Sequence, residues 1–590
     1  MKNYLKHFIA VLPSEYKIKV FVFLFATSFG SALEVFGVAA LIPFVSILIS
    51  PQKFYSHNFV VFIQQNFEIL GPWIDPFSLG VIFVFLYLSG LLFRFISLFL
   101  AVSFATNLEY DLGKKMVRYY VAQDYEWYAM NHSADIVQQV LAEVSNVVHG
   151  TIFSVLMIVS QSLLMGGLLV FLLIINPLAV GIGLLVFGFL YGIIFLFLRQ
   201  YIAEIGRRRI EANRGRAKSL IEMCGSIIEL KTGGYEEYFI ERFILPSAQY
   251  AKYQKIAQLS AQAPKFLIDG VIFLCMTVAL ISLAKYAGDN FVMYLPMLGA
   301  LVLAAYKMLP ATQVIYASAV QLKFSEAAFK DLLGKLNKAN KVDQCGILLP
   351  NAKEAESFAR LRFNDVSFHY NGKSEIALSN FSASFDHRDF VFIVGPTGSG
   401  KSTFLKVFMG LLKPTSGQIV FNGGVIEPFL DRGWRKAIGY VPQDVYLLDD
   451  TVARNIAFGE ASNDIDWDRL LLAAKIARVD EFVGDDHMVG YHTNVGENGS
   501  TLSGGQRQRI GLARAIYQTP KILVLDEATS ALDSETEKAV LEGIKELSFI
   551  QLTLFVTHRT NVISPGAKVL VMENGKILNT ANFEELRQLH

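Results

Sequence analysis

Gly395, Pro396, Thr397, Gly398, Ser399, Gly400, Lys401, Ser402 and Thr403 follow one another in a Gly-x4-Gly-Lys-Ser spacing. Glycines so placed let backbone N–H groups close around phosphate oxygens, and the helix that follows adds its N-terminal dipole. Lys401 is expected to reach the β- and γ-phosphates of a nucleoside triphosphate, and Ser402 to offer its hydroxyl to Mg²⁺. Farther along, Asp526 and Glu527 stand directly after the apolar run 521–525. A carboxylate that holds the metal beside one that positions or polarises water makes such a site hydrolytic. Asp526 is therefore assigned to the metal and Glu527 to the attacking water, with ATP and Mg²⁺ as cofactors.

These groups need elements to hold them. The apolar run 390–394 before the glycine loop reads as a strand and 403–412 as a helix, while 521–525 reads as a fully buried parallel strand. Together they describe an α/β P-loop domain.

Leu502, Ser503, Gly504, Gly505 and Gln506 form the signature of the ATP-binding cassette family, which few other P-loop proteins carry, and the chain resembles that family. Ser503, Gly504 and Gly505 open the helical stretch 506–517, so their N–H groups and the helix dipole are available to an anion. The resemblance implies that this anion is the γ-phosphate on a second subunit's P-loop. It also implies that Tyr370 stacks on adenine and that Gln443 contacts metal or water as well as the membrane domain. Asp533 is implied to cross a dimer interface, and His558 to be the switch histidine. The run Thr493 to Glu497 resembles the X-loop of exporters.

Elsewhere the chain is apolar: 53% of its 590 residues are hydrophobic and its mean hydropathy is +0.39. Two ordinary soluble domains do not have that composition. A net charge of +1 lacks the basic excess of a nucleic-acid binder, so no nucleic acid partner is expected. Cys224, Cys275 and Cys345 have no metal-ligand spacing and read as unpaired thiols. No small-residue cleavage site follows the first residues, so the first apolar segment is expected to stay in the mature chain.

Six stretches are long and apolar enough to span a bilayer, roughly 18–49, 77–105, 150–175, 177–199, 264–286 and 291–320. Basic residues between the second and third and between the fourth and fifth (Lys114, Lys115, Arg118; Arg199, Arg207, Arg208, Arg209, Arg214, Arg216) place those connections and both termini on the cytoplasmic side. The polar stretch 326–357 reads as a linker. The expected layout is a transmembrane domain over 1–325, the linker, and a cassette over 358–590. This resembles a half-transporter of the ABC exporters: a polytopic α-helical membrane domain, the six-helix type IV bundle, followed by the cassette. Two copies would then assemble as a homodimer in a bacterial inner membrane. Candidate segments coupling the two domains are Asp124 to Trp127 and Ser226 to Thr232.

The cargo must be read from charges inside the membrane helices: Glu34, Arg94, Lys265, Asp269 and Lys307. Intramembrane charges are costly and face a wet cavity or each other. Arg94, Lys265 and Lys307 at inner-leaflet depth suit an anionic headgroup such as a phosphate or pyrophosphate. The alternative is mutual neutralisation, Lys265 with Asp269 four residues on, and Glu34 with Arg94 or Lys307. Between the first two spans, Phe59, Phe62, Ile63, Phe67 and Leu70 share one helical face that either touches a lipid tail or caps the bundle. The first helix around Glu34 and Pro43 and the sixth around Lys307 and Pro310 resemble the PglK-type flippases, which implies a lipid-linked oligosaccharide moved from the cytoplasmic to the outer leaflet. The alternative cargo is a drug or another lipid, such as a lipid A precursor.

Overall fold

The computed structural model describes residues 14–49, 51–55, 75–175, 177–287, 295–344, 358–370, 376–429, 431–483, 490–559, 562–563 and 567–582. The chain divides into two compact units, one of helices (Met1–Gln123 with Met130–Ile347) and one of mixed α/β structure (Asp124–Ala129 with Leu348–His590). The connection carrying Phe59, Phe62, Ile63, Phe67 and Leu70 lies outside the described residues.

The helical unit is built from α1 (Ser14–Ile49), α2 (Pro76–Val121), α3 (Ser154–Ile175), α4 (Pro177–Gly225), α5 (Glu236–Ala287), α6 (Leu295–Phe324) and α7 (Glu326–Gln344). Among the described residues, four helical stretches are long and apolar enough to cross a membrane: Glu15–Ile49, Pro76–Val121, Ser133–Ile175 and Pro296–Phe324. Their outer faces carry exposed phenylalanines, Phe21 and Phe25 on α1 and Phe95 and Phe99 on α2. Such faces are at home in lipid, where every backbone polar group is already satisfied within the helix. Helix α2 starts where Asp75 caps it by accepting from the N–H groups of Phe77 and Ser78, with Pro76 at the first helical position.

Several helices run well past their apolar segments, α2 to Val121 and α4 to Gly225. Hydropathy marks the part in lipid, whereas a helix continues through any polar run free of breakers. The basic stretch of α4 is therefore helical, and Arg209 is buried, donating to Glu143 at 2.7 Å. Before α3, two π-helical turns, Gln139–Glu143 and Val148–Phe153, flank Val144–Val147. The first part of the stretch expected as a linker over 326–357 is helical. Residues Glu326–Gln344 form α7, with Phe329, Leu332, Leu333 and Leu336 buried. Its polar composition hid a helical repeat of apolar residues at three- and four-residue spacing. Residues 345–357 lie outside the described set.

In the α/β unit a six-stranded sheet has the order β10-β9-β3-β8-β7-β6. Its strands are β3 (Asp389–Val394), β6 (Ile438–Val441), β7 (Ile522–Asp526), β8 (Leu552–Val556), β9 (Lys568–Glu573) and β10 (Lys576–Asn582). Strands β3, β8, β7 and β6 pair in parallel, and the register sets Ile393 and Asp526 both opposite Val556. The segments that leave these strands at Gly395, Glu527 and Thr557 therefore emerge side by side at the carboxyl edge, where open α/β sheets bind ligands. A second, antiparallel sheet has the order β2-β1-β4-β5, from β1 (Arg360–His369), β2 (Ile376–Asp386), β4 (Ser416–Phe421) and β5 (Gly424–Ile426). Helix α8 (Lys401–Phe408) is wedged between the sheets, with Phe404 and Phe408 packed on Phe363 and Phe385. That aromatic packing fixes the direction in which the helix N-terminus points.

Candidate functional site: an ATP-hydrolysing centre and a charged membrane core

The glycine loop bridges β3 and α8. Gly400 sits at φ +98°, and a Cβ there would lie 2.7 Å from the carbonyl oxygen of Ala377, so only glycine fits the turn. Among the described residues no side chain caps α8, so its first N–H groups stay open to an anion. The Ser399 hydroxyl is buried and, among the described residues, has no hydrogen-bond partner. Lys401 is buried, and its ammonium donates to the carbonyl oxygens of Gly395 at 2.7 Å and Pro396 at 3.0 Å. Burial pushes its pKa down while the Glu527 and Asp526 charges oppose that shift. The hydroxyl of Tyr370, at the end of β1, lies 3.3 Å from that of Thr403.

Asp526 closes β7, the preceding residues of which are fully buried. Burial raises its pKa, with the neighbouring Glu527 charge adding to the shift, whereas the Tyr440 hydroxyl, Lys406 and Lys401 pull the other way. Glu527 stands at φ +52°, an uncommon conformation for a residue with a side chain. The strained turn aims its carboxylate at two other segments. Gln443 Nε2 donates to Glu527 Oε2 at 2.9 Å, and His558 Nε2 lies 2.9 Å from Glu527 Oε1. Glu527, His558 and Gln443, expected from sequence to serve the reaction, thus meet at one carboxylate.

The donor set fits magnesium. Asp526 supplies one half-buried carboxylate, Ser402 belongs to the first turn of α8, and Gln443 stands beside Glu527. Among the described residues no group of three His, Cys, Asp or Glu could hold a metal by protein alone. Magnesium sites take one or two protein oxygens and complete their shell with water and phosphate. Tyr440, missed in the sequence, donates to Asp526 Oδ2 at 3.5 Å. Its signal was positional: Tyr440 pairs with Val524 on the adjoining strand, so its side chain leaves the same face as Asp526.

Ser503 caps α9 (Gly504–Tyr517), accepting from the N–H of Gln506, while the Gln506 side chain accepts from the N–H of Ser503 at 2.8 Å. This capping box leaves the first N–H groups of Gly504 and Gly505 free for an anion. Among the described residues the hydrogen bonds of Ser503 and Gln506 stay within this helix start and do not reach the glycine loop. Asp533 caps α10 (Ser534–Glu546), accepting from the N–H groups of Glu535 and Thr536, and these bonds hold its carboxyl below the usual range. Segment Asp124–Ala129 groups with the α/β unit, where the Tyr125 ring faces the Lys406 ammonium at 5.2 Å. The other coupling candidate forms the short helix Ile227–Gly233, with Ile227 and Ile228 exposed.

In the helical unit the intramembrane charges are arranged differently from the expectation that all three cations serve a headgroup. Lys307 is buried and donates to Glu34 at 2.9 Å, its ammonium 4.4 Å from the centre of the Tyr87 ring. This is the mutual-neutralisation arrangement. Gly90 lets α1 and α2 close on the pair, since a Cβ there would lie 2.7 Å from Glu34 Cγ. Arg94 keeps 37% of its side chain exposed, with Glu34 at 3.8 Å and Gln161 at 3.4 Å. Asp269 accepts from Gln313 at 3.4 Å and does not pair with Lys265, whose side chain is exposed. Glu34→Gln leaves the Lys307 charge buried without its partner and is expected to destabilise the helical unit by about 3–5 kcal/mol. The double change Glu34→Leu with Lys307→Met should restore most of that loss, measured as detergent-solubilised thermal stability; equal losses in the single and double variants would contradict the pairing.

A P-loop hydrolytic site joined to a bundle of membrane-crossing helices defines a class of protein, the ATP-driven membrane translocase. Comparison with known proteins agrees. Residues 378–530 match the family model described as ABC transporter, and residues 52–305 match the ABC transporter transmembrane region. An ATP-dependent lipid A-core flippase of Ralstonia nicotianae is 30% identical over 492 residues, 81% of this chain and 79% of that protein. The flippase of the same name from Saccharophagus degradans is 29% identical over 536 residues, 87% of this chain and 85% of that protein. A solved structure of a bacterial Atm1-family ABC exporter with ATP bound shares the fold at a TM-score of 0.73 and 20% identity, covering 97% of this chain and 96% of that one. The chain belongs to the ABC transporter family. It is a half-transporter of the exporter type, with a transmembrane domain and a cassette that hydrolyses ATP to drive translocation.

Proposed function

We propose that this half-transporter is a flippase for a phosphate-bearing glycolipid of the lipid A-core kind, moving it from the cytoplasmic to the outer leaflet of a bacterial inner membrane. The observation that carries this reading is the similarity to lipid A-core flippases across more than three quarters of the chain, membrane helices included. Chemistry supports it. Arg94 and Lys265 keep exposed cationic side chains on membrane helices, where a phosphate headgroup would gain charge-assisted hydrogen bonds. Lys307, held by Glu34, serves such a headgroup only if it exchanges that carboxylate for a phosphate.

In the same reading two copies form a homodimer, each P-loop facing the signature of its partner. Gly395 to Thr403 hold the phosphates, Ser402, Gln443 and Asp526 hold Mg²⁺, and Tyr370 meets the adenine. Ser503, Gly504, Gly505 and Gln506 present their helix N-terminus to the partner's nucleotide. Bound Mg²⁺ would neutralise charge on the β- and γ-phosphate oxygens. Glu527 orients the attacking water, and His558 and Gln443 orient Glu527.

A second reading, a polyprenyl-pyrophosphate oligosaccharide as cargo, is favoured by the residues around Glu34 and Lys307 that resemble PglK-type flippases. Reconstitution into liposomes separates the two. ATP-dependent flipping and ATPase stimulation are expected with lipid A-core and not with a lipid-linked oligosaccharide; the reverse pattern would replace the first reading with the second. Within the first reading, Arg94→Gln and Lys265→Gln should lower flipping more than basal ATPase activity. Loss of one charged contact costs about 1.5–3 kcal/mol, or about 10-fold or more in cargo affinity.

A further inference from the structure

Arg559 follows His558 directly, and its guanidinium is taken up by the segment after Glu527. Nη2 donates to the carbonyl oxygen of Ser530 at 2.7 Å, and Nη1 to that of Leu532 at 3.4 Å and to the Glu537 carboxylate at 3.3 Å. Glu537 is buried and also accepts from the Thr529 hydroxyl at 2.5 Å. Segment Ser530–Leu532, between Glu527 and the Asp533 cap, is thus tied to the loop that carries His558.

From the other side the same segment is tied to the signature helix. Gln508, buried on α9, donates from Nε2 to Ser530 Oγ at 3.0 Å and accepts from the N–H of Ala531 at 2.9 Å. Gly505 approaches so closely that a Cβ there would lie 2.9 Å from the Ala531 carbonyl oxygen. Three parts of the cassette therefore share one short turn: the Glu527–His558 contact at 2.9 Å, the Asp533 cap, and the helix that begins at Ser503.

We propose that Arg559 and Gln508 are positioning residues for ATP hydrolysis, clamping Ser530–Leu532 so that the Glu527–His558 contact and the signature helix move as one body. The inference rests on Glu527 being the hydrolytic carboxylate. A guanidinium suits the task because its planar fork reaches two carbonyls and a carboxylate at once, which an ammonium on a flexible stem does not reproduce. A backbone shift of this loop that draws His558 from Glu527 also draws Arg559 from three acceptors. The energy of the clamp is therefore spent on holding the histidine in register.

The test uses the full-length transporter in liposomes, with Arg559→Lys, Gln508→Leu, His558→Ala and the Arg559→Lys/His558→Ala double variant. Arg559→Lys should lower kcat about 10-fold while KM for ATP stays within about 2-fold, because an interaction acting through orientation leaves ground-state binding alone. Gln508→Leu should act in the same direction. The double variant should lose no more than His558→Ala alone, since residues acting through one contact are not additive. Binding of an ATP analogue and the Tm should match wild type in Arg559→Lys. Wild-type kcat, additive losses, or a kcat loss that only follows a fall in Tm would overturn the proposal. Failure of the underlying site reading is told apart by Glu527→Gln: turnover retained there removes Glu527 itself, whereas an inactive Glu527→Gln beside a normal Arg559→Lys removes only the clamp.

Discussion

Glu527→Gln is expected to abolish ATP hydrolysis while leaving nucleotide binding intact. The change keeps the shape of the side chain and its place at φ +52°, and it leaves Asp526 available to the metal. It removes the anion toward which Gln443 Nε2 and His558 Nε2 are both directed at 2.9 Å. An amide is a far weaker acceptor for a water proton than a carboxylate, and loss of general-base assistance costs about 10²–10⁴-fold in rate. Steady-state ATPase assays should therefore fall by that factor. Nucleotide binding, followed with a fluorescent ATP analogue, should stay within about 2-fold of wild type, the mark of an interaction used in the transition state alone. Turnover near wild type would remove Glu527 from its role. Weakened binding with turnover to match would assign the carboxylate to nucleotide affinity instead.

The second large effect is expected from Ser503→Arg. Ser503 caps α9 and shares a capping box with Gln506, and the helix start behind it presents open N–H groups. A long cation there breaks the box and fills the space of an approaching phosphate, so the homogeneous variant should lose nearly all ATPase activity. Mixing is the more telling measurement. With each site shared between subunits, mixing Ser503→Arg chains with Glu527→Gln chains should restore activity that neither has alone, because the mixed dimer pairs the P-loop and intact Glu527 of the first with the unaltered signature of the second. No restored activity in the mixture would mean that each chain hydrolyses ATP alone, against the proposed dimer. Destabilisation is separable: loss of a helix cap costs about 0.5–2 kcal/mol, which shifts Tm without emptying the folded state.

The nucleotide chemistry was legible because it is local. Nine consecutive residues from Gly395 to Thr403 supply the phosphate loop, and the conformations they need, such as φ +98° at Gly400, are written in residue type. Asp526 and Glu527 were legible for a similar reason, since a run of buried apolar residues ends on two carboxylates. The membrane-crossing segments could be found because lipid imposes a composition over some twenty residues at a time. The helical start of the stretch expected as a linker was not, because the residues of α7 that face the unit are few and spaced among lysines and asparagines.

Tertiary structure decided the rest, and in each case the deciding partner lies far away in the chain. Gln443, Glu527 and His558 stand on three separate segments and meet because β8 and β7 pair in parallel and β7 pairs with β6, which brings their carboxyl ends together. Arg559 looked like the tail of the histidine motif until Ser530, Leu532 and Glu537 appeared around it. Sequence left Lys307 open to either cargo or Glu34, residues 273 positions apart, and the packing of α1 on α2 and α6 set them 2.9 Å from each other. Residue type and spacing determine what a group can do. Which neighbour claims a buried charge depends on long-range packing, since desolvation makes an unpartnered charge too costly to bury and so selects among partners that spacing alone leaves equal.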